Sequence, residues 1–221
     1  FFNTYYDMII NRFTNEIKLQ VESNSNLILT GAPGTGKTYL AKEIAKAMTG
    51  ENEAHYEMVQ FHPSYDYSDF VEGLRPVKNA NGNIGFERKD GVFKAFCKKA
   101  LVDGYTMTEE GWKYKGEKAP KYVFIIDEIN RGEMSKIFGE LFFSIDPGYR
   151  GTDGRINTQY QNLVDKEYDG NGNEVGEDVF KEGFFVPKNV YIIGTMNDID
   201  RSVESMDFAM RRRFAFKEVR A

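Results

Sequence analysis

Residues 31–38 have the types and spacing of a loop that binds phosphate. They read Gly-Ala-Pro-Gly-Thr-Gly-Lys-Thr, which matches the pattern G-x-x-x-x-G-K-S/T. Glycines let backbone N–H groups turn towards an anion without a clash from a side chain. Lys37 would contact the β- and γ-phosphates of a nucleoside triphosphate, and the Thr38 hydroxyl would bind Mg²⁺. The pattern predicts a nucleotide site made of Gly31, Ala32, Pro33, Gly34, Thr35, Gly36, Lys37 and Thr38.

Two carboxylates form a second candidate site. Asp127 and Glu128 directly follow the apolar run at 123–126. Asp127 would hold Mg²⁺ through water, and Glu128 would orient or deprotonate an attacking water. Acidic residues often end an apolar strand in an ordinary solvated turn. The phosphate loop upstream is what favours a role in hydrolysis.

Two further candidates lie near the end of the chain. Asn197 follows the apolar run at 190–195, and its amide would position the nucleophilic water, although an ordinary turn asparagine is the simpler alternative. Arg211, Arg212 and Arg213 end a predicted short helix at 203–213. They are either cations that interact favourably with a helix C-terminus or an arginine finger for the γ-phosphate of a neighbouring subunit.

Composition excludes several classes of protein. The 221 residues include 34 acidic and 29 basic ones, with a net charge of −5, which argues against a strongly basic nucleic-acid binder. One cysteine and two histidines are too few ligands for a His/Cys metal site. No apolar run approaches the ~18 residues that cross a bilayer, and the first residues lack a signal peptide. We therefore expect a cytoplasmic protein with no membrane segment and, because the chain does not begin with Met, a fragment of a longer one.

The elements that must position these candidates alternate short apolar strands with helices. We predict helices over 1–22, 37–49, 91–101, 133–145 and 203–213, and buried strands at 27–29, 56–61, 123–126 and 190–195. Hairpins are expected around 81–82 and at 169–173, whereas 103–120 is an insertion with no clear period. This order is typical of an α/β fold built as a three-layer αβα sandwich with a mainly parallel sheet. Together with the phosphate-loop pattern at 31–38, it resembles a P-loop NTPase.

Three remaining features have a structural interpretation that needs no ligand or catalysis. The aromatic residues Phe61, Tyr65, Tyr67 and Phe70 could stack on a base, but packing of a loop onto the domain is favoured. Cys97 lies on an apolar helix face and is predicted to be a core residue. The polar segment 150–180 is either a surface hairpin or a contact in a ring of subunits.

The order of these motifs resembles an AAA+ NTPase module, and three stretches are similar to the McrB family. They are Ile-Asp-Glu-Ile-Asn-Arg-Gly at 126–132, Met-Asn-Asp-Ile-Asp-Arg-Ser at 196–202 and Val-Gln-Phe-His-Pro-Ser-Tyr at 59–65. The resemblance covers nearly the whole chain except 103–120 and 150–180. It implies that residues 1–221 form the large α/β subdomain of the module. The C-terminal helical lid and the N-terminal DNA-binding domain would then be absent from the chain.

The resemblance also implies a function. McrB proteins are GTP-hydrolysing motors of modification-dependent (5-methylcytosine) DNA restriction systems, and they form hexameric rings with a McrC-like nuclease subunit. By that analogy Asn197 is the sensor of the γ-phosphate, and Arg211 and Arg212 are the arginine-finger candidates. Asp200 belongs to the nucleotide site and, with the next residue, lies where the signature loop meets the activating partner. The family commonly has Thr-Ala where this chain has Asp198 and Ile199, which places a carboxylate near the phosphates.

Two other functions stay open at this point. One is an ATP-driven AAA+ enzyme of the MoxR or dynein-related type that remodels proteins. The other is a nucleotide-dependent assembly scaffold that binds but barely hydrolyses, with Asp198 as the suspected cause. Neither composition nor spacing decides between GTP and ATP.

Overall fold

A five-stranded sheet lies at the centre of the fold. The computed structural model describes residues 2–78, 83–163, 166–168, 174–197 and 208–220. The sheet contains β1 (Asn26–Gly31), β2 (Tyr56–Gln60), β7 (Tyr122–Asp127), β10 (Val190–Asn197) and β11 (Ala215–Glu218). Their order across the sheet is β11-β1-β10-β7-β2, and every neighbouring pair is parallel. The predicted parallel sheet is therefore confirmed.

In the described ranges, six further strands form three antiparallel hairpins outside this sheet. They are β3 (Glu72–Lys78) with β4 (Ile84–Asp90), β5 (Tyr105–Thr108) with β6 (Gly111–Tyr114), and β8 (Lys166–Tyr168) with β9 (Glu174–Glu177). The first and third are the hairpins predicted around 81–82 and 169–173, and both predicted tips lie outside the described residues. The second lies in the 103–120 insertion, where no periodic pattern of apolar residues predicted a strand.

Seven helices belong to the described part of the chain. They are α1 (Phe2–Asn24), α2 (Lys37–Thr49), α3 (Tyr67–Phe70), α4 (Val92–Gly104), α5 (Met134–Phe138), α6 (Leu141–Ser144) and α7 (Phe208–Arg211). None of the helices in these ranges is both long enough and apolar enough to cross a bilayer. The predicted helix at 203–213 is described only from Phe208 onward.

Both faces of the sheet are covered, which produces three layers. Side chains of a strand alternate between faces, and in β1 Leu27 and Leu29 pack in one apolar cluster while Ile28 packs in the other. The first cluster includes residues of α1 and α2, and the second includes residues of α4, α5 and α6. The αβα sandwich is confirmed, and the buried apolar runs of the sequence follow from this double covering.

The second cluster is rich in aromatic rings. Phe70 stacks on Phe93 with ring centroids 4.8 Å apart, and Phe61 stacks on Tyr65 at the same separation. Phe61 and Phe70 are buried. The aromatic group at 61–70 packs the loop onto the domain, as favoured from the sequence. Cys97 is also buried, as predicted, and burial raises the pKa of its thiol.

The continuous helix predicted over 133–145 is wrong. It is divided into α5 and α6 at Gly139, which has φ 50° and ψ −128°. A Cβ at this position would lie 3.2 Å from Cε2 of Tyr67, so the ring packs where another side chain would be. The Tyr67 hydroxyl donates to Glu140 at 2.5 Å. Glycine permits both this backbone conformation and the close approach.

Buried polar contacts tie the amino-terminal ends of the strands to the last part of the chain. The side-chain amide of Asn26 donates to the backbone oxygens of Ile145 at 2.8 Å and Arg213 at 2.9 Å. Arg150 donates to Asn26 Oδ1 and, at 3.2 Å, to the backbone oxygen of Val190. Buried polar groups need such partners, so Asn26 fixes the segment that follows α7 against the start of β1.

Candidate nucleotide-binding and hydrolysis site

The candidate site lies at the carboxyl edge of the parallel sheet. In the pairing of β1 with β10, Gly31 lies opposite Asn197. In the pairing of β2 with β7, Gln60 lies opposite Asp127. Ligands of open α/β sheets bind outside this edge. The register therefore brings the start of the phosphate loop, the acidic strand end and the asparagine to one place.

The phosphate loop, which joins β1 to α2, contains three glycines with positive φ. Gly31 has φ 147°, Gly34 has φ 80° and Gly36 has φ 82°, conformations that favour glycine. Gly36 is the N-cap residue of α2, and as a glycine it has no side chain that could cap the first N–H groups of the helix. The first N–H groups of a helix lack intrahelical partners and carry partial positive charge. This end of α2 is therefore suited to bind an anion.

The ammonium of Lys37 is folded into the same loop. It donates to the carbonyl oxygens of Gly31 at 2.9 Å and Ala32 at 2.8 Å, and lies 3.4 Å from Thr35 Oγ1. Lys37 is 7 % exposed. Since these three acceptors are neutral, they do not cancel the positive charge. A nearly buried cation beside a helix N-terminus fits the phosphates of a nucleotide.

Thr38 and Asp127 form the candidate metal site. The Thr38 hydroxyl donates to Asp127 Oδ1 at 2.7 Å, although the two residues come from α2 and β7. A hydroxyl and a carboxylate are oxygen ligands of the kind that Mg²⁺ prefers. The residues at this point therefore fit the metal ion that the phosphate loop implies.

Glu128 has left-handed backbone angles, and both of its carboxylate oxygens accept hydrogen bonds. Its φ of 53° and ψ of 45° are left-handed, a conformation that costs a non-glycine residue about 1–2 kcal/mol. The side-chain amide of Asn197 donates to Oε1 at 2.9 Å and to Oε2 at 3.2 Å. Arg131 Nε donates to Oε2 at 3.2 Å. Such strain is concentrated at functional sites, and the structure brings the two predicted residues, Glu128 and Asn197, into contact.

Sequence reasoning missed two residues at this site. Thr195 contacts both Asp127 and Glu128, and Arg131 contacts Glu128. A signal was available for Thr195, because residues two apart on a strand share a face and Thr195 precedes Asn197 by two. A signal was available for Arg131 as well, because it follows Glu128 by three residues, a spacing that pairs an acid with a base on one helical turn.

The three consecutive arginines differ in their surroundings. Arg213 donates to the backbone oxygen of Ala209 at 2.8 Å, and its Nε lies 3.7 Å from Asp146 Oδ2. Arg211 and Arg212 are exposed. Arg213 therefore matches the interpretation as a helix-terminal cation, and the finger interpretation applies to Arg211 and Arg212, where it stays a prediction.

Part of the predicted signature loop lies outside the described residues. This concerns Asp198, Ile199, Asp200 and Arg201. The expectations for Asp200 as a nucleotide-site residue and for Asp198 as an obstacle to hydrolysis are therefore still predictions.

Two curated relatives are similar to this chain. The Type IV methyl-directed restriction enzyme EcoKMcrB subunit of Escherichia coli (strain K12) is 40% identical over 215 residues, which is 96% of this chain and 39% of the relative. The Type II restriction enzyme BsuMI component YdiS of Bacillus subtilis (strain 168) is 28% identical over 217 residues, 87% of this chain and 56% of the relative. The McrB resemblance of the motifs is confirmed. The chain spans less than two thirds of either relative.

One solved structure and one family model complete the comparison. The structure of NtrX from Brucella abortus has a TM-score of 0.38 and 14% identity, covering 99% of this chain and 41% of that one, which is too weak to support any conclusion. The model of the AAA domain (dynein-related subfamily) matches residues 26–214, most of the chain. The strand order, the phosphate loop and this match agree, and the chain belongs to the AAA domain family, in its dynein-related subfamily.

Proposed function

We propose that this chain is the nucleotide-hydrolysing motor module of a methylation-directed DNA restriction system, and that it uses GTP with Mg²⁺. The observation that most supports a role in hydrolysis is the contact of Glu128 with Asn197 beside the phosphate loop. The similarity to the methyl-directed McrB subunit of Escherichia coli supports the restriction role. The McrB-like stretches at 126–132 and 196–202 support GTP.

The residues of the site would divide the chemistry among them. Lys37 and the N-terminus of α2 bind the β- and γ-phosphates. Thr38 and Asp127 hold Mg²⁺, which when bound neutralises charge on the phosphate oxygens. Glu128 orients the attacking water or accepts its proton, at a carboxylate that Asn197 and Arg131 hold in place. Asn197 senses the γ-phosphate, since its strand β10 lies between β1, which leads into the phosphate loop, and β7, which leads to Glu128.

The proposed assembly is a cytoplasmic ring, hexameric in the whole protein. Arg211 and Arg212 of one subunit contact the γ-phosphate bound by the next, where they stabilise the charge of the transition state. A McrC-like subunit supplies nuclease activity. Because the chain spans 39% of its Escherichia coli relative, we assign DNA recognition and the helical lid to parts of the protein outside these residues.

Nucleotide preference tests this proposal. The chain is titrated with fluorescent GTP and ATP analogues in the presence of Mg²⁺, and the dissociation constants are compared. Tighter binding of GTP is expected. Tighter binding of ATP would overturn the GTP assignment and favour an ATP-driven remodelling enzyme, for which the dynein-related description of the family model is the supporting observation. Binding without hydrolysis in the assembled full-length protein would instead favour the scaffold.

A further inference from the structure

Thr195 occupies a central position among the candidate catalytic groups. It lies in β10, two residues before Asn197, and is 2 % exposed. Its hydroxyl donates to Asp127 Oδ1 at 2.6 Å and accepts the backbone N–H of Glu128 at 3.1 Å. A threonine hydroxyl offers one donor and two acceptor positions. One buried side chain therefore contacts both residues of the acidic pair.

The contact with Asp127 fixes the direction of its carboxylate. Oδ1 accepts hydrogen bonds from two hydroxyls, those of Thr38 at 2.7 Å and Thr195 at 2.6 Å. Thr38 comes from the phosphate loop side and Thr195 from the neighbouring strand. Of these two hydroxyls, loss of that of Thr195 would leave only that of Thr38 to orient this oxygen.

The contact with Glu128 holds a strained turn. Glu128 has left-handed backbone angles, φ 53° and ψ 45°. A partly buried N–H needs an acceptor, and here a side chain of β10 supplies it. Without that acceptor the turn can relax, and the carboxylate leaves the position in which Asn197 bonds it.

We infer that Thr195 is a positioning residue for nucleotide hydrolysis, acting through Asp127 and Glu128. This inference rests on the proposed function. The inference goes beyond the proposed function because it gives a role to Thr195, a residue that is not expected to contact nucleotide or metal. That role is to hold the carboxylates of Asp127 and Glu128 in their positions. Outer groups that orient ligands and catalytic residues typically change activity or metal affinity 10–100-fold.

The test uses two variants of Thr195 and one control. Thr195→Val has the same shape without the hydroxyl, and Thr195→Ser keeps the hydroxyl. Thr14→Val is the matched control, because Thr14 is 6 % exposed and its hydroxyl has no hydrogen-bond partner among the residues that the structure describes. Single-turnover hydrolysis is measured in the assembled full-length protein. Nucleotide affinity is measured with and without Mg²⁺, and unfolding is followed by denaturant.

Thr195→Val is expected to lower the rate constant about 10–100-fold and to raise the Mg²⁺ concentration needed for tight binding. Affinity without Mg²⁺ should stay within about twofold of the starting protein. Thr195→Ser should restore the rate to within about threefold, and Thr14→Val should leave it unchanged. This pattern separates a positioning role from a merely structural one. A merely structural role would lower the rate constant, both nucleotide affinities and the stability together.

Two results would overturn the inference. One is a Thr195→Val rate equal to that of Thr14→Val. The other is a loss that Thr195→Ser does not restore. Glu128→Gln is measured alongside to separate the inference from the proposed function. Full turnover in Glu128→Gln contradicts the role that the proposed function gives to Glu128, whereas an inactive Glu128→Gln with an unaffected Thr195→Val contradicts the role of Thr195 alone.

Discussion

The side-chain amide of Asn197 donates to both carboxylate oxygens of Glu128, at 2.9 Å to Oε1 and 3.2 Å to Oε2. The two residues are 69 positions apart in sequence and meet because β7 and β10 are neighbours in register. In this arrangement the amide nitrogen of Asn197 uses its hydrogen-bond donors on the carboxylate of Glu128. Any γ-phosphate oxygen that Asn197 contacts must therefore compete with Glu128.

Glu128→Gln should abolish most hydrolysis while it preserves nucleotide binding. The substitution keeps the shape of the side chain and removes its ability to accept a proton, a contribution of about 10²–10⁴-fold to general-base catalysis. Single-turnover hydrolysis and nucleotide affinity are measured in the assembled full-length protein. The control is Glu133→Gln, since the exposed Glu133 carboxylate contacts Lys136 instead of the site. Unchanged turnover in Glu128→Gln would remove Glu128 from the mechanism.

Lys37→Ala should abolish tight binding of triphosphate. The ammonium already lies inside the loop, 2.9 Å from the carbonyl oxygen of Gly31. Hydrogen bonds to charged groups contribute about 1.5–3 kcal/mol each. Loss of the two that Lys37 would donate to the β- and γ-phosphates therefore predicts a decrease in triphosphate affinity of roughly 100-fold or more. Equilibrium titration with a fluorescent analogue measures it.

Lys42→Ala is the matched control for that titration. Lys42 is an exposed lysine of the same helix, one and a half turns beyond Lys37. The net charge changes equally in the two variants. A similar dissociation constant for both would contradict the assignment of the phosphate loop.

The parts of the fold that were predictable are those in which local pattern and tertiary role agree. The strands at 123–126 and 190–195 contain the apolar runs 123–126 and 190–193 because helices cover both faces of the sheet. The phosphate loop was recognisable because its glycines serve a backbone conformation that few other residues adopt. The positions of Asp127 and Asn197 then followed from the rule that parallel strands end at one edge.

The parts that were not predictable depend on contacts between distant segments. Gly139 interrupts a helical pattern because the Tyr67 ring packs against it. No residue close to 139 in sequence indicates this contact. β11 is four residues long at the sheet edge and includes Lys217 and Glu218, so its short alternation is hard to recognise. The contact of Thr195 with Asp127 requires the register of β7 against β10, which spacing along the chain does not give.

Arg211→Ala should reduce hydrolysis in the assembled ring and leave binding to an isolated subunit unchanged. Arg211 is exposed at the end of α7, and an arginine that reaches a neighbour's γ-phosphate contributes about 10³–10⁵-fold to turnover. Arg212→Ala tests the second candidate in the same way. Turnover is measured as a function of protein concentration, which separates assembled from isolated subunits.

Arg220→Ala is the control for the arginine variants. Arg220 is an exposed arginine of the same region whose guanidinium contacts Glu218 at 2.8 Å. It should leave turnover unchanged at every protein concentration. Equal losses of binding and turnover in Arg211→Ala and Arg212→Ala would show that these side chains serve the fold instead of a neighbouring site.

A buried ion pair links the β3–β4 hairpin to α4. Lys94 Nζ donates to Glu72 Oε2 at 2.6 Å, and both side chains are fully buried. Arg88 also contacts Oε2, at 3.3 Å. Burial alone would raise the pKa of Glu72, but the ammonium of Lys94 and the hydrogen bonds to the carboxylate outweigh it and hold that pKa below its usual value.

Lys94→Met should destabilise the protein by about 3 kcal/mol at neutral pH, because it removes one partner of a buried pair. The remaining contact with Arg88 keeps the loss at the lower end of the usual range. The double variant Glu72→Gln/Lys94→Met should recover part of this loss, since it removes the buried charge as well. Urea unfolding measures all three proteins. Lys46→Met, which breaks an exposed pair with Glu43, is the control and should leave the unfolding midpoint nearly unchanged.

The pH dependence of this loss has a definite sign. With its pKa lowered in the folded state, Glu72 contributes stability above its ordinary carboxyl pKa of 4.5, and that contribution is lost as the pH falls through the folded value. Lys94→Met raises the pKa of Glu72, so the variant binds a proton at higher pH than the parent protein. The stability difference between them should therefore narrow as the pH falls from 7 towards about 4. A difference that stays constant over this range would mean that Lys94 stabilises the fold by packing and not by its charge.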